Sequence, residues 1–212
     1  MAGVSAPSLP IMPDPIPGTQ ATAPLILASG SPRRLELLGR LGVTPARVLS
    51  PDIDESPLKG ELPRNHAVRL AAQKARAAAL MAPGALILSG DTVVGVGRRI
   101  LPKAEDEATA RRCLALLSGR RHRVFSAVAL LGPDGKLREA LSETILRFKR
   151  LSPEETEAYI AGGEWHGKAG GYAIQGSAEA FCAWLQGSHS GVMGLPLYET
   201  RRLLRAAGVA VA

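Results

Sequence analysis

Aromatic residues are scarce in this sequence. Phe, Trp and Tyr make up only 4% of the 212 residues, and no basic stretch is interleaved with them. Proteins that hold single-stranded nucleic acid stack its bases on aromatic side chains. The scarcity argues against a platform for single-stranded DNA or RNA, and we do not expect nucleic acid as a partner.

Cysteine is scarcer still, with only Cys113 and Cys182 in the whole chain. Two cysteines so far apart, without neighbouring ligand spacing, form neither a zinc motif nor a disulfide framework. We expect both to be buried, reduced thiols, as is usual in the cytoplasm.

Long apolar runs and an early positive charge are also missing. No apolar stretch approaches the length of a membrane span, and no basic residue precedes Arg33. A secretory signal needs a basic start and a mitochondrial presequence needs arginines, so we expect neither leader. Residues 1–23 carry five of the 16 prolines and one charge, Asp14, and are predicted to be a disordered extension before a domain over 24–212.

The composition that remains is that of a globular protein with a basic surface. Hydrophobic residues reach 46%, and 26 Lys and Arg against 19 Asp and Glu give a net charge of +7. A positive balance favours polyanionic partners such as nucleotides, nucleic acid or acidic lipid. Charge alone does not choose among them.

Residues 25–41 predict a strand, a loop and a helix. The apolar run Leu25–Ala28 ends in a small-residue turn, and leucines then recur at helical spacing. Ser31 is predicted as the N-cap and Pro32 as the first helical residue. Arg33 and Arg34 then fall in the first turn, where the helix dipole disfavours cations.

Two arginines at a helix start indicate that an anion is bound there. Backbone amides, the hydroxyls of Ser29 and Ser31, and two guanidinium groups would together hold a polyphosphate. The alternative is an ordinary capped helix with two solvated arginines.

Acidic residues mark two further places. Asp52, Asp54 and Glu55 fall within four positions and are either a candidate site for a hard divalent cation or a solvated acidic turn. Asp91 lies in Ser-Gly-Asp-Thr between two apolar strands, 85–88 and 93–96, and is the best single catalytic candidate. Its alternative is a plain hairpin turn.

Lys74 lies on the inward stripe of a helix predicted over 64–81. The positions three, four and seven residues away on either side are all apolar. Such a lysine must either snorkel to solvent or meet a buried anion.

The second half of the chain predicts further helices and long antiparallel strands. We expect a helix over 105–117, strands over 124–131 and 137–151 joined by a Gly-Pro-Asp-Gly turn, and a capping box at 152–155 that opens another helix. The basic cluster 120–123 faces either phosphate or solvent. The pattern predicts an α/β fold with a mixed sheet and a ligand site at turns beyond the strand ends, where Ser29 and Asp91 both fall.

A glycine-dense loop, 167–176, contains Lys168 and suits close approach of its backbone to a ligand. It is not a Walker A loop, because the glycine spacing differs and no Ser or Thr follows the lysine. The segment 188–200 is expected to position the last helix through its Pro and Gly residues.

Several of these segments resemble, in order, the motifs of the Maf-like nucleoside triphosphate pyrophosphatases. The match covers the opening Leu-Ala-Ser-Gly-Ser-Pro-Arg-Arg, the Gly-Asp-Thr of Asp91, the Lys-Ala of Lys74, the glycine loop and the segment 188–200. Two departures stand out. Gly167 replaces an aspartate of the loop motif, and Lys103 lies in Leu-Pro-Lys where the family has Gly-Lys-Pro.

The resemblance implies hydrolysis of a nucleoside triphosphate to the monophosphate and pyrophosphate by a two-lobed, homodimeric, cytoplasmic enzyme. It implies roles in clearing non-standard nucleotides and in cell-division arrest. Asp91 would be the catalytic base, and Glu55 with Asp91 would bind Mg²⁺ or Mn²⁺. The triphosphate would be neutralised by five cations: Arg33, Arg34, Lys74, Lys103 and Lys168.

The resemblance also implies a base preference. Arg33, Thr92 and Gln175 match the branch that acts on dTTP and UTP rather than on 7-methyl-GTP. An amide such as Gln175 is able both to donate to and to accept from uracil or thymine, whereas a carboxylate only accepts. Alternatively, Gln175 only ties down the glycine loop.

A second hypothesis is a non-catalytic regulator of cell division that binds nucleic acid or a division protein through its basic surface. Release of pyrophosphate distinguishes the enzyme from the binder, which would show salt-dependent DNA affinity without product.

Overall fold

The computed structural model describes residues 23–212. It contains nine strands: β1 Leu25–Ala28, β2 Arg47–Leu49, β3 Leu86–Val96, β4 Arg99–Leu101, β5 Lys103–Ala104, β6 Arg121–Leu131, β7 Leu137–Phe148, β8 Lys168–Ala169 and β9 Cys182–Gln186. The α-helices are α1 Pro32–Gly39, α2 Pro63–Met81, α3 Glu107–Leu117, α4 Pro153–Ala161, α5 His189–Met193 and α6 Leu197–Ala206. Apart from Ala23, the predicted disordered extension lies outside the described residues.

The main sheet is mixed, as predicted. Its order is β2-β1-β3-β6-β7-β9, and β4 pairs with the far end of β3. β1 runs parallel to β2 and β3, and every other pair in the sheet is antiparallel. β5 and β8 form a separate two-stranded ribbon.

Helices cover both faces of the sheet. Alternate residues of a strand point to opposite faces: Ile26 and Ala28 of β1 pack in one apolar cluster with the alanines of α2, whereas Leu25 and Leu27 pack in another with leucines of α1, α3 and α6. α2 therefore lies on one face, and the other helices on the opposite face. Among the described residues, no helix is both long and apolar enough to cross a membrane.

Most predicted elements are confirmed. β1, α1 and α2 lie where the patterns placed them, β6 and β7 form the long antiparallel pair, and α4 opens with the predicted capping box at Ser152 and Glu155. α3 begins two residues later than predicted, because Asp106 accepts a hydrogen bond from the Thr109 amide and caps it. Of the two cysteines, Cys113 is buried as expected but Cys182 is only half-buried.

The predicted turn at Asp91 is wrong. β3 runs without a break from Leu86 to Val96, and Asp91 is paired with Ala127 of β6. Ser-Gly-Asp-Thr is locally turn-like, but β6 supplies partners to β3 from Ile87 to Gly95 and keeps the chain extended. The hairpin alternative is excluded with it.

The cleft opens beside the middle of β3 rather than beyond its end. β1 pairs with β3 only as far as Ala28 and Ser89, and β4 begins to pair at Val94. Between those two points one edge of β3 has no strand beside it in the sheet order. Side chains from α1 and α2 reach Asp91 and Thr92 there.

Candidate active site

One cleft brings the predicted site residues together. It has a volume of about 400 Å³ and lies among the end of β1, the start of α1, β3, the glycine loop and the end of α5. All eleven residues proposed from the sequence line it: Ser29, Ser31, Arg33, Arg34, Glu55, Lys74, Asp91, Thr92, Lys103, Lys168 and Gln175.

On the α2 side of β3, lysines and carboxylates alternate. Lys74 Nζ lies 2.6 Å from Asp91 Oδ1 and 2.6 Å from Glu55 Oε1. The other oxygen of Glu55 accepts a hydrogen bond from Lys103 Nζ, also at 2.6 Å. We call these four residues, Lys103, Glu55, Lys74 and Asp91, the charge chain. It places both proposed metal ligands around a single nitrogen.

Lys74 meets a buried anion, as one of its two sequence interpretations required. It is 8% exposed and Asp91 is 5% exposed, so the lysine does not snorkel to solvent. A buried ammonium is stable only when paired, and it is paired here with two carboxylates.

The carboxylate of Glu55 stays ionised over a wide pH range. Partial burial alone would raise its pKa, but hydrogen bonds from Lys103 and Lys74 outweigh burial and hold the pKa at about 2. Asp52 and Asp54, its acidic neighbours, are exposed, and Asp54 accepts a hydrogen bond from the Ser56 amide instead of joining the cleft. Only Glu55 of the acidic cluster therefore lines the site.

A second ionic cluster, which the sequence reasoning missed, holds the segment that carries Glu55. Glu61 accepts hydrogen bonds from Arg69 Nε at 2.7 Å and from the Leu58 amide at 3.0 Å, and it contacts His66 Nδ1 at 2.8 Å. Arg69 also donates to the carbonyl of Ser56, the residue after Glu55. The sign of this cluster in the sequence is Arg69, which precedes Lys74 by five positions on α2.

On the opposite side of β3, Arg34 is held by uncharged oxygens. Its Nε donates to the Gly194 carbonyl at 2.7 Å, Nη1 to Ser29 Oγ at 3.0 Å and Nη2 to Thr92 Oγ1 at 3.4 Å. A guanidinium has five N–H donors. One donor on each terminal nitrogen is therefore left for a ligand.

No carboxylate within the described residues forms a salt bridge with Arg34. Burial lowers the pKa of Arg34, although the charges of Asp91 and Glu55 act in the opposite direction. An arginine nevertheless stays protonated, because its ordinary pKa is so high. The cleft thus contains a half-buried cation that no carboxylate of residues 23–212 contacts.

The start of α1 differs in one detail from the prediction. Ser31 is the N-cap by position, but its side chain makes no capping hydrogen bond. Instead the Ser31 amide donates to Ser29 Oγ at 3.2 Å, the same oxygen that receives Arg34 Nη1. Ser29 therefore organises the loop and the guanidinium, and Pro32 is the first helical residue as predicted.

The segment 188–200 contributes more than the expected positioning of the last helix. It first forms the short α5 and only then α6, and the carbonyl of Gly194, between them, is an acceptor for Arg34. Gly191 in α5 accepts a hydrogen bond from Ser126 Oγ on β6. Backbone carbonyls leave no mark in side-chain patterns, so the sequence did not point to them.

The glycine loop lies across the cleft and carries Lys168 and Gln175. Its strand β8 pairs with β5 in a register that places Ala169 opposite Lys103. Gly170 has φ +69° and a Cβ there would lie 2.9 Å from Val94, so only glycine fits. Burial, and next the charge of Arg33, lower the pKa of Lys168.

Gly167, where the resemblance leads one to expect aspartate, also has a positive φ of +65°. Its Cβ direction is open space. Aspartate there would be strained by the backbone rather than by crowding. The carboxylates that line the cleft are those of Glu55 and Asp91.

Comparison with known proteins identifies the relatives of this chain. A family model described as Maf-like protein matches residues 24–207. A dTTP/UTP pyrophosphatase from Novosphingobium aromaticivorans is 84% identical over 187 residues, which are 88% of this chain and 93% of that protein. One of the same name from Sphingopyxis alaskensis is 61% identical over 185 residues, covering 87% and 97%.

Among solved structures, a nucleoside-triphosphatase described as a dITP/XTP pyrophosphatase, from Mycobacterium abscessus, aligns with 66% of this chain and 94% of its own. The TM-score is 0.38 and the identity 19%. That likeness is too distant to bear on the site.

Proposed function

The chain belongs to the family of Maf-like proteins, and from that premise we propose that it is a nucleoside triphosphate pyrophosphatase. It hydrolyses dTTP and UTP in preference to other nucleotides and yields the monophosphate and pyrophosphate. The two relatives described above are named for this activity, and they align with this chain over almost their whole length. The non-catalytic regulator is not favoured by them.

The observation that carries the proposal is the guanidinium of Arg34. It is half-buried, without a contacting carboxylate among the described residues, and has two donors free on its terminal nitrogens. Desolvated cations of this kind are stable beside an anion. Parallel N–H donors match the oxygens of a phosphate group.

The other cations of the cleft complete a triphosphate site. Arg33 and Lys168 are half-buried in the cleft wall. Within residues 23–212 the Arg33 side chain has no hydrogen-bond partner, and Lys168 Nζ donates only to the His166 carbonyl. Lys74 and Lys103 would bridge the carboxylates and the phosphates. In this proposal all five neutralise the charge that a triphosphate brings.

Asp91 is the proposed general base. Its carboxylate lines the cleft and accepts a hydrogen bond from Lys74. It lies on one side of β3, and the hydrogen bond between Arg34 and Thr92 lies on the other. In hydrolysis to pyrophosphate it would accept the proton of the water that attacks the α-phosphorus.

The residues present fit a divalent metal ion. Glu55 and Asp91 approach the same Lys74 nitrogen, which places two carboxylates close enough to share one small cation. Magnesium is commonly held by one or two carboxylates together with substrate phosphates. When bound, Mg²⁺ or Mn²⁺ would neutralise charge on the phosphates and favour departure of pyrophosphate. Location in the cytoplasm and a homodimeric state are further parts of the proposal.

Base preference is assigned to Gln175, Arg33 and Thr92, all of which line the cleft. Gln175 is exposed at the end of the glycine loop, and none of the hydrogen bonds among the described residues involves its side chain. Its amide is therefore free to pair with uracil or thymine. This supports base reading over the alternative in which Gln175 ties down the loop.

The test is turnover of the purified protein against dTTP, UTP and 7-methyl-GTP, with pyrophosphate and orthophosphate measured separately. We expect pyrophosphate, and higher kcat/KM for the two pyrimidine nucleotides. Gln175→Glu should lower that preference, because a carboxylate does not donate to a ring carbonyl. Faster hydrolysis of 7-methyl-GTP than of UTP would overturn the pyrimidine preference, and DNA binding without product would overturn the enzyme.

A further inference from the structure

Ser126 is a buried polar residue behind the cleft wall. It lies on β6 directly opposite Thr92 of β3 and is 1% exposed. Its hydroxyl oxygen is 2.6 Å from the Gly191 carbonyl oxygen and 2.7 Å from Thr92 Oγ1. It does not line the cleft, and the proposed function gives it no role.

The distances determine which hydroxyl donates to which. A serine has one proton to donate, and a carbonyl only accepts, so the proton of Ser126 goes to Gly191. Thr92 must therefore donate its own proton to Ser126. The competing acceptor for Thr92, the Gly194 carbonyl, is farther away at 3.4 Å.

Thr92 is consequently left as an acceptor, and the donor that faces it is Arg34 Nη2 at 3.4 Å. The hydrogen bonds run in one direction, from Arg34 to Thr92, from Thr92 to Ser126 and from Ser126 to Gly191. We call this series the hydroxyl relay.

We propose that Ser126 is a positioning residue for the phosphate-binding guanidinium: it fixes the proton of Thr92 so that Thr92 accepts from Arg34 and never donates toward the substrate. The inference rests on the proposed function, in which Arg34 binds phosphate. It also reassigns Thr92, whose influence on the substrate passes through Arg34 rather than through direct donation to a base.

The carbonyl acceptors at both ends of the hydroxyl relay lie in the segment 188–195, which is held by its own hydrogen bonds. The Gly191 amide donates to Ser188 Oγ, and the Gly194 amide donates to the Ser190 carbonyl. Arg34 Nε is bound to Gly194 of the same segment. Both ends of the hydroxyl relay are therefore attached to one short segment, α5 and the glycine that follows it, which gives this segment a defined part in the site.

The test compares four variants by binding rather than by turnover. We would measure the affinity of a non-hydrolysable α,β-methylene analogue of UTP, and of inorganic pyrophosphate, for Ser126→Ala, Thr92→Val, the double variant and Ser142→Ala. Ser142 is the matched control, since it is the buried cross-strand neighbour of Ser126 on β7 and makes no side-chain hydrogen bond among the described residues.

Ser126→Ala should weaken both ligands by about tenfold, the equivalent of one hydrogen bond to a charged group. Thr92→Val should do the same, and the double variant should be no weaker than Thr92→Val, because both changes break one series. Ser142→Ala should bind like the wild type. Thermal unfolding of each variant checks folding, and Ser126→Cys, a poorer acceptor of similar size, replaces Ser126→Ala if that variant does not fold.

Three results would overturn the inference: wild-type affinity in Ser126→Ala and Ser126→Cys, additive losses in the double variant, or weaker binding of the analogue with unchanged binding of pyrophosphate. The last would mean that Thr92 contacts the base. A wild-type protein that binds both ligands but releases no pyrophosphate from UTP would overturn the proposed function while leaving the hydroxyl relay in place.

Discussion

Asp91 and Thr92 are neighbours in β3, yet the two sides of the cleft on which they lie differ in how charge is balanced. On the side of Asp91, two lysines alternate with two carboxylates in the charge chain. On the side of Thr92, the Arg34 guanidinium donates, within the part of the chain that the structure describes, only to serine, threonine and carbonyl oxygens. The first side is neutral by itself, and the second keeps a full positive charge.

This difference in charge suggests which side of the cleft would bind the phosphates and which the metal ion. In the proposed function, a half-buried cation without a contacting counter-ion gains most from an incoming phosphate, so the phosphates would lie beside Arg34. Carboxylates that remain ionised suit a metal ion and a general base, and the low pKa of Glu55, about 2, keeps it ionised at any physiological pH. Alternation of side chains along one extended strand is enough to separate the two tasks.

Removal of divalent metal should have the largest effect, because the proposed metal ion is held by the carboxylates of the Asp91 side. In excess chelator we expect pyrophosphate release to fall to background and to return when Mg²⁺ or Mn²⁺ is restored. Carboxylates without histidine or cysteine ligands prefer such hard cations. Full activity in the chelator would remove the metal from the proposal.

Asp91→Asn should have the second largest effect on activity. The amide has nearly the shape of the acid but does not accept a proton, and general-base catalysis contributes about 10²–10⁴-fold to rate. We expect kcat to fall by that factor while the UTP analogue still binds through Arg34. Circular dichroism controls for folding, and turnover near that of the wild type would exclude Asp91 as the base.

Arg34→Lys changes the cation on the Thr92 side of the cleft, and Arg33→Lys is its matched control. Lysine keeps the charge but loses the planar fork, so three hydrogen bonds to neutral oxygens are disrupted. At about 1.5–3 kcal/mol for a hydrogen bond to a charged group, KM for UTP should rise about ten- to hundredfold. Arg33→Lys should change KM less; equal effects would contradict the special position of Arg34.

Glu61→Gln should have the smallest effect, on stability and its pH dependence. Hydrogen bonds from Arg69, the Leu58 amide and His66 hold the Glu61 pKa at about 2 against an ordinary 4.5. A depressed carboxyl pKa stabilises the fold above pH 4.5 and loses that contribution as pH falls toward 2. The variant should have a lower free energy of unfolding at pH 7 and a flatter decline below pH 4.5, measured by urea titrations across that range. An unchanged pH profile would contradict this.

Local patterns predicted a large part of the fold and of the site. The 3.6-residue period located α2 and placed Lys74 inward, and the capping box located α4, because the interactions involved are contained within a few residues of chain. Chemistry then left two outcomes for Lys74, snorkelling to solvent or pairing with a buried anion, and the structure has the anion. The pattern did not name that anion, since Asp91 reaches it through sheet pairing rather than through sequence proximity.

What the patterns missed depends on distant contacts. Ser-Gly-Asp-Thr favours a turn locally and so predicts one at Asp91, and only pairing with β6 overrides that preference. The edge strand β9 went unrecognised because its partner, β7, is more than thirty residues away along the chain. Ser126 gave no signal either, since a buried serine is informative only once its carbonyl partner on α5 is known.

The unbroken course of β3 has a mechanical consequence. The strand is laddered to β6 on both sides of Asp91 and Thr92, so bending it at the cleft would cost backbone hydrogen bonds. The spacing between Asp91 and Thr92, the residue on β3 that accepts a hydrogen bond from Arg34, is thus set when the protein folds, and loss of their relative freedom does not have to accompany each encounter with substrate. Any opening or closing of the cleft therefore has to occur in the segments around β3, while the strand itself stays rigid.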